Sequence, residues 1–264
     1  MKETKQAIYA RYGVQFDPKT GNILAPMFGW IRPLLIDGNS KLGKGVWTFS
    51  MLPGNFYHHV TVDGSPVEIL GTCPCNCPGC YAQTGLFNTP DVKAANARKT
   101  ALARMYLDFV KRAIMAQIKA DKIKLLRIHA AGDFFSVEYI NMWRDIIKAT
   151  PGTIYWTYTK NPVAESAFDD LKNANVVKSL IPGMELNYGP CKYVMDAYKA
   201  LKSMGKNVYI CRCGIDKNQH CVNCTGCSKN EYVLFVEHST KYKAEKDPLY
   251  QELVALIESQ PPQK

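Results

Sequence analysis

Nine of the ten cysteines in this 264-residue chain fall in two short bursts. The first holds Cys73, Cys75, Cys77 and Cys80; the second holds Cys211, Cys213, Cys221, Cys224 and Cys227, and Cys191 stands alone. Cysteines packed this tightly are poorly placed to bridge one another, because a disulfide demands a definite separation and orientation. Disulfide frameworks also belong mainly to small secreted domains that cannot build a core. With 47% hydrophobic residues this chain can build one. Metal binding is the better account of the thiols.

The first burst reads Gly71-Thr72-Cys73-Pro74-Cys75-Asn76-Cys77-Pro78-Gly79-Cys80-Tyr81. Its prolines and glycines predict a loop that doubles back and lets several thiolates converge. Pro66–Leu70 reads as a short strand before it, and a long helical stretch from about Thr89 to Lys119 follows. Strand, loop, helix is the context of a site at the carboxyl end of a strand in an α/β fold. Cys77 and Cys80 alone form a generic zinc or redox pair. Cys73, Cys77 and Cys80 together are more specific, since three thiolates can hold three irons of a 4Fe–4S cube and leave the fourth open.

Composition bounds the class. No run approaches the roughly 18 apolar residues that span a bilayer, and the first residues lead into no apolar stretch like that of a secretory signal. A cytoplasmic globular protein without a membrane partner is expected. The 33 Lys and Arg outnumber the 23 Asp and Glu, a formal charge of +10 that favours anionic partners such as nucleotides or nucleic acid. Thiolates on metal would offset part of that charge.

At Cys73, Cys77 and Cys80, followed by Tyr81, the chain resembles the radical S-adenosylmethionine (SAM) superfamily, whose signature is C-x3-C-x2-C after the first barrel strand. Gly79 stands where that superfamily usually has an aromatic residue, and Cys75 lies inside the motif. Thr72-Cys73-Pro74 with Gly79-Cys80-Tyr81-Ala82 and a later cysteine burst resembles a group of small phage-encoded gene products related to those enzymes, from about Gly45 to Ser239. The resemblance implies a cluster-bound SAM. It also implies a partial (β/α)6-type barrel, made of strands alternating with helices. Three segments follow: a β-rich extension at 1–65, the barrel core at 66–210, and a cysteine-rich metal-binding segment with the closing strand and helix at 211–264.

Within that frame Lys122–His129 is the second strand, and Ala131-Gly132-Asp133 at its end is similar to the turn that holds the methionine amino group. Small residues suit a turn that a bound amino acid must approach closely. An ordinary strand-to-helix turn, with Ser136 capping a helix to about Ala149, is the alternative. Thr153–Lys160 alternates as a strand should, and Tyr158, Thr159 and Lys160 at its end could reach the nucleoside or carboxylate of SAM or merely cap an edge. Further strands are expected near Val176–Leu180, Met184–Asn187 and Asn207–Ile210, with helices over Tyr193–Met204 and Leu249–Ile257.

Cys221, Cys224 and Cys227 form the firm part of a second site, with Cys211 or Cys213 as fourth ligand. The phage resemblance favours Cys211. Zinc or a second 4Fe–4S cluster fits. Cys191, after Tyr188-Gly189-Pro190, is a candidate hydrogen-atom donor or a buried structural thiol. In the lead-in, Val62-Asp63-Gly64-Ser65 signals a hairpin turn, and the tandem His58-His59 should face opposite ways.

The expected function is therefore that of a radical SAM enzyme, an oxidoreductase or transferase. It would take electrons from an external one-electron reductant of the flavodoxin or ferredoxin type and abstract hydrogen from a nucleotide or nucleic-acid substrate. The alternative is a non-catalytic zinc- or iron–sulfur-binding module that contacts nucleic acid.

Overall fold

The computed structural model of the chain describes residues 3–38, 42–77, 80–179, 188–212, 215–216, 220–236 and 244–260. Its elements begin with helix α1 (Lys5–Arg11), whose first turn is capped by the Thr4 hydroxyl accepting from the Ala7 N–H. Strands β1 (Ile23–Ala25) and β2 (Gly29–Ile31) pair antiparallel, as do β3 (Ile36–Asp37) and β4 (Val46–Thr48). Strands β5 (Tyr57–Val62) and β6 (Ser65–Leu70) form a hairpin with Val62 opposite Ser65. Asp63 and Gly64 both have positive φ there, the two-residue turn that matches strand twist.

Helices α2 (Pro90–Met105) and α3 (Leu107–Asp121) lead to β7 (Leu125–Ile128), α4 (Val137–Ala149), β8 (Ile154–Thr159), α5 (Pro162–Glu165) and β9 (Ala174–Lys178). The order β3-β4-β7-β8-β9 makes one five-stranded sheet, parallel except at the β3 edge. A second sheet follows from β10 (Tyr188–Gly189), α6 (Cys191–Ser203), β11 (Val208–Ile210), α7 (Gly226–Lys229), β12 (Tyr232–Val236) and α8 (Tyr250–Glu258). In it, β12 lies between β10 and β11, parallel to both. The sheets meet where the Lys178 N–H of β9 donates to the Glu231 carbonyl at 2.9 Å. The expected strand at Met184–Asn187 lies outside the described residues.

Two corrections concern the start of the parallel sheet. Pro66–Leu70 is a strand, but it pairs antiparallel with β5 and takes no part in the sheet. Its turn chemistry closes a local hairpin, whereas a parallel partner needs a long crossover. The first parallel strand is instead β4, inside the stretch read as an extension. Beyond it the ladder continues, with Phe49 N–H donating to Arg127 O and Met51 N–H to Ala131 O. The lead-in also begins with a helix, α1, rather than a strand.

Side chains alternate across the sheet and find different partners on its two faces. Leu126, Ile128 and Tyr155 join Val110 and Ile114 of α3 and Trp143 and Ile147 of α4 in the largest core. On the other face, Val46, Trp156, Leu125 and Tyr158 pack with Leu42, Cys221 and Cys227. The second sheet is covered by α6 and α8 through Val194, Leu201, Leu253 and Ile257. No helix among the described residues is long and apolar enough to cross a membrane.

The long helical stretch is broken at Tyr106 (φ −135°, ψ 50°) although no Gly or Pro is there. Its halves serve different layers: Ala97 of α2 packs with Val60 and Val62 of the hairpin, and α3 packs into the main core. Tyr106 is exposed at the break.

Candidate functional site

The first cysteine loop leaves the hairpin and returns to where the hairpin began. Thr72 N–H donates to Leu52 O at 3.0 Å, and Cys73 N–H donates to Gly54 O at 3.1 Å. Gly71 permits this approach, since a Cβ there would lie 2.3 Å from the Gly54 carbonyl oxygen. The Thr72 hydroxyl donates to Leu52 O and accepts from the Asp133 N–H at 3.1 Å, tying the loop to the turn after β7. Gly132 (φ +84°) is required beside it, because a Cβ would stand 2.6 Å from that hydroxyl. Arg104 of α2 donates to Gly71 O at 2.9 Å and holds the loop from outside. Its guanidinium also lies over the Phe135 ring.

This ties the start of the cysteine loop to the turn that follows β7, whereas the strand expected to carry the loop at its end, Pro66–Leu70, takes no part in the parallel sheet. The sulfur of Cys75 is exposed and 3.8 Å from that of Cys77. Burial pushes the Cys73 thiol up, helped by the nearby charges of Asp133, Cys80 and Cys77. Cys77 is pushed up to about 11, first by burial and then by Cys75, while the Lys160 ammonium pulls it down. Thiols in such surroundings ionise when a cation compensates them, which is the chemistry of a metal ligand. Among the described residues no group of three or more His, Cys, Asp or Glu side chains is placed to hold a metal ion. The side chain of Tyr81 and the residues Pro78 and Gly79 lie outside those described.

Asp133 is 5% exposed and joins the ends of two strands. Its Oδ1 accepts from the Phe134 N–H and the Thr159 hydroxyl, and its Oδ2 from the Lys160 N–H. Burial raises its pKa to about 6, and the three donors oppose that rise. Ala131 is buried and its carbonyl is spent on Met51. Ala131, Gly132, Asp133 and Thr159 are thus brought together beside Cys73. His129, with φ +61°, is instead buried in the helix-covered core. Its Nε2 is 2.9 Å from the Tyr139 hydroxyl, and Phe134 and Trp143 pack edge-on against its ring.

Tyr158 departs from expectation. Adjacent strand residues face opposite ways, so while Thr159 meets Asp133, Tyr158 turns to the second cysteine group. Its hydroxyl donates to the Cys227 sulfur at 2.7 Å. Cys211, Cys224 and Cys227 share an apolar cluster with Tyr158 and Tyr209, and Cys221 and Cys227 share the neighbouring one. Gly226 N–H donates to the Cys224 sulfur at 3.4 Å, and the Tyr209 hydroxyl is 3.9 Å from it. Burial pushes Cys227 up to about 12, as do Cys221 and Cys224, against the pull of the Tyr158 hydroxyl and Arg127. Cys213 lies outside the described residues. Cys191 heads α6, fully buried among Val194, Leu234 and Leu253, in a core that contains no residue of the Cys73 loop.

Sequence reasoning passed over Arg127, whose guanidinium lies 4.8 Å from the centre of the Tyr158 ring. The signal was present: an arginine within the apolar strand Leu125-Leu126-Arg127-Ile128 needs an anion or a ring on its face of the sheet.

A family model described as Gene product 88 matches residues 33–243. The Gene 88 protein of Mycobacterium phage L5 is 38% identical over 61 residues, which is 23% of this chain and 24% of that protein. The chain thus matches about a quarter of the length of that curated relative. No solved structure matches.

Proposed function

The chain belongs to the Gene product 88 family, and from its first cysteine loop we propose that it is an iron–sulfur enzyme of the radical SAM kind. What supports this reading is the spacing of Cys73, Cys77 and Cys80 on a loop that the Thr72 hydroxyl ties to the turn after β7, where Asp133 lies. Three thiols of one loop would then hold three irons of a cube, and a non-protein ligand would complete the fourth. On this reading the two parallel sheets are arcs of an open barrel.

When bound, such a cluster supplies one electron to SAM, which yields methionine and a 5′-deoxyadenosyl radical able to take hydrogen from an unactivated carbon. The residues of this chain hold and orient. Thr72 and Gly132 pin the cysteine loop against the β7 turn. Asp133 keeps the ends of β7 and β8 in register through Thr159 and Lys160. The Lys160 ammonium, which also donates to Ser179 O at 3.4 Å, offers a positive charge beside Cys77 for a carboxylate. Electrons would come from a flavodoxin- or ferredoxin-type donor in the cytoplasm of the host cell. The surplus of basic residues suits a nucleotide or nucleic-acid substrate.

The test is anaerobic reconstitution with iron and sulfide, then SAM and dithionite, read by mass spectrometry. 5′-Deoxyadenosine that disappears in Cys77→Ala supports the reading. A colourless zinc protein that forms none favours the non-catalytic nucleic-acid-binding module.

A further inference from the structure

The residue between Cys75 and Cys77 is anchored elsewhere. The Asn76 Oδ1 accepts from the Asn55 N–H at 2.6 Å, just ahead of the hairpin. Gly54 leaves room for this contact, since a Cβ there would stand 3.0 Å from that oxygen. Where a chain is extended, side chains two apart share a side and the one between them takes the other. With Asn76 held at Asn55, its two neighbours meet each other: the chain bends at Pro74 and Cys75, and the sulfurs of Cys75 and Cys77 lie 3.8 Å apart.

Crowded cysteines bridge badly as a rule, because few pairs have the right separation. This pair has it. A disulfide sets its sulfurs about 2.05 Å apart, so the two must close by about 1.8 Å, which rotation of the exposed Cys75 side chain supplies. Cys77 and Cys80, the spacing that reads as a generic redox pair, are joined through the backbone instead, Cys80 N–H donating to Cys77 O at 3.3 Å. Cys191 and Cys211 are buried, out of reach of a dissolved oxidant. A bridge between residues so close in sequence is strained, and strained or exposed disulfides are the readily reduced ones.

We propose that Cys75 and Cys77 form a thiol–disulfide exchange site for low-molecular-weight disulfides, which closes when the loop holds no metal and reopens on reduction. The exchange stands on the geometry of the pair; its exclusion by metal rests on the reading of Cys77 as a cluster ligand. The exposed Cys75 thiolate attacks one sulfur of the small disulfide, forming a mixed disulfide and releasing one thiolate. The Cys77 thiolate then attacks the Cys75 sulfur, forming the internal bridge and releasing the second thiolate. The protein pair loses two electrons and the small disulfide gains them, and the two protons of the cysteines pass to the released thiolates. Closed, the pair leaves Cys77 without a thiolate to offer a metal.

The test uses full-length protein, reduced, freed of metal and reductant, and exposed to oxidised glutathione. After alkylation of the remaining thiols, fragment masses should show Cys75 and Cys77 joined with loss of two hydrogens, and dithiothreitol should reverse the change. Cys77→Ser should stop at a glutathione adduct on Cys75, because the resolving thiol is gone. Asn76→Ala should slow closure several-fold while circular dichroism stays native, and an unchanged rate would remove Asn76 as the anchor. A parent chain overturns the proposal if it keeps both thiols free, holds glutathione on Cys75 without closing, or joins Cys77 to Cys80. Protein reconstituted with iron and sulfide should resist closure. If it closes as fast as the metal-free chain, Cys77 is no ligand and the first-site reading fails, while the exchange site stands.

Discussion

The hydroxyl of Thr159 donates to the carboxylate of Asp133 at 2.6 Å and thereby joins the end of β8 to the turn that braces the cysteine loop. Thr159→Val keeps the shape and removes the donor. A hydrogen bond to a buried charged acceptor contributes about 1.5–3 kcal/mol. The Asn161 N–H, which donates to the same hydroxyl at 2.9 Å, loses its partner too. A fall in urea midpoint of that order at constant slope is expected, with Thr159→Ser close to the parent.

Gly132→Ala should act on both stability and the site. The residue combines a left-handed backbone with a Cβ position 2.6 Å from the Thr72 hydroxyl. The backbone strain alone costs more than about 1 kcal/mol. The clash also displaces Thr72, so iron bound by the first cysteine group should fall in reconstituted protein. A variant that loses stability but keeps that iron would remove Thr72 as the brace of the loop.

Cys75 and Cys77 should separate on substitution. Cys75 is exposed, whereas Cys77 is half-buried and faces Lys160. Cys75→Ser is expected to leave the iron content and visible absorption of the reconstituted protein unchanged. Cys77→Ser should abolish the share that belongs to the first site. Equal losses would put Cys75 among the ligands.

Lys99 is buried against the Phe49 ring, with its ammonium 5.7 Å from the ring centre. Burial lowers its pKa to about 8 from the usual 10.5. Below pH 8 both folded and unfolded chains hold the proton, and the full burial penalty is present. Between pH 8 and 10.5 the unfolded chain binds more protons, so this group makes stability rise with pH. Lys99→Met should stabilise the protein at pH 7 by on the order of 3 kcal/mol. The gain should shrink as denaturation is repeated toward pH 10, and a gain independent of pH would show that packing rather than charge is responsible.

Much of the fold could be read from local chemistry. Ser136 caps α4, its hydroxyl accepting from the Tyr139 N–H, and the helix ends at Ala149 as expected. β7, β8 and β11 fall within predicted strands, and β9 overlaps one but starts two residues earlier, because their β-branched and aromatic residues are bounded by turn residues. His58 and His59 do face opposite ways, one buried with its Nε2 2.6 Å from Pro53 O and the other exposed near Glu68.

What stayed hidden was pairing at long range. Nothing local tells that Val46–Thr48 joins β7 while the stronger strand Pro66–Leu70 does not. The break at Tyr106 likewise answers to the two layers that α2 and α3 cover, not to a helix-breaking residue. At the site, the cysteines and the Asp133 turn were visible as motifs. The turning of Tyr158 toward Cys227 follows from strand alternation once the partner is known, but the partner lies 69 residues away.

The stretch from Asn55 to Leu70 leaves and re-enters the chain at adjoining points, because Leu52 and Gly54 bond directly to Thr72 and Cys73. It is therefore a closed excursion whose length has little bearing on where the sulfurs sit. Grafting a longer or shorter ribbon between Phe56 and Leu70 keeps the Asn55 N–H bond to Asn76 and should leave the cysteine loop undisturbed, which makes this the natural place for the molecule to acquire or shed an accessory contact surface.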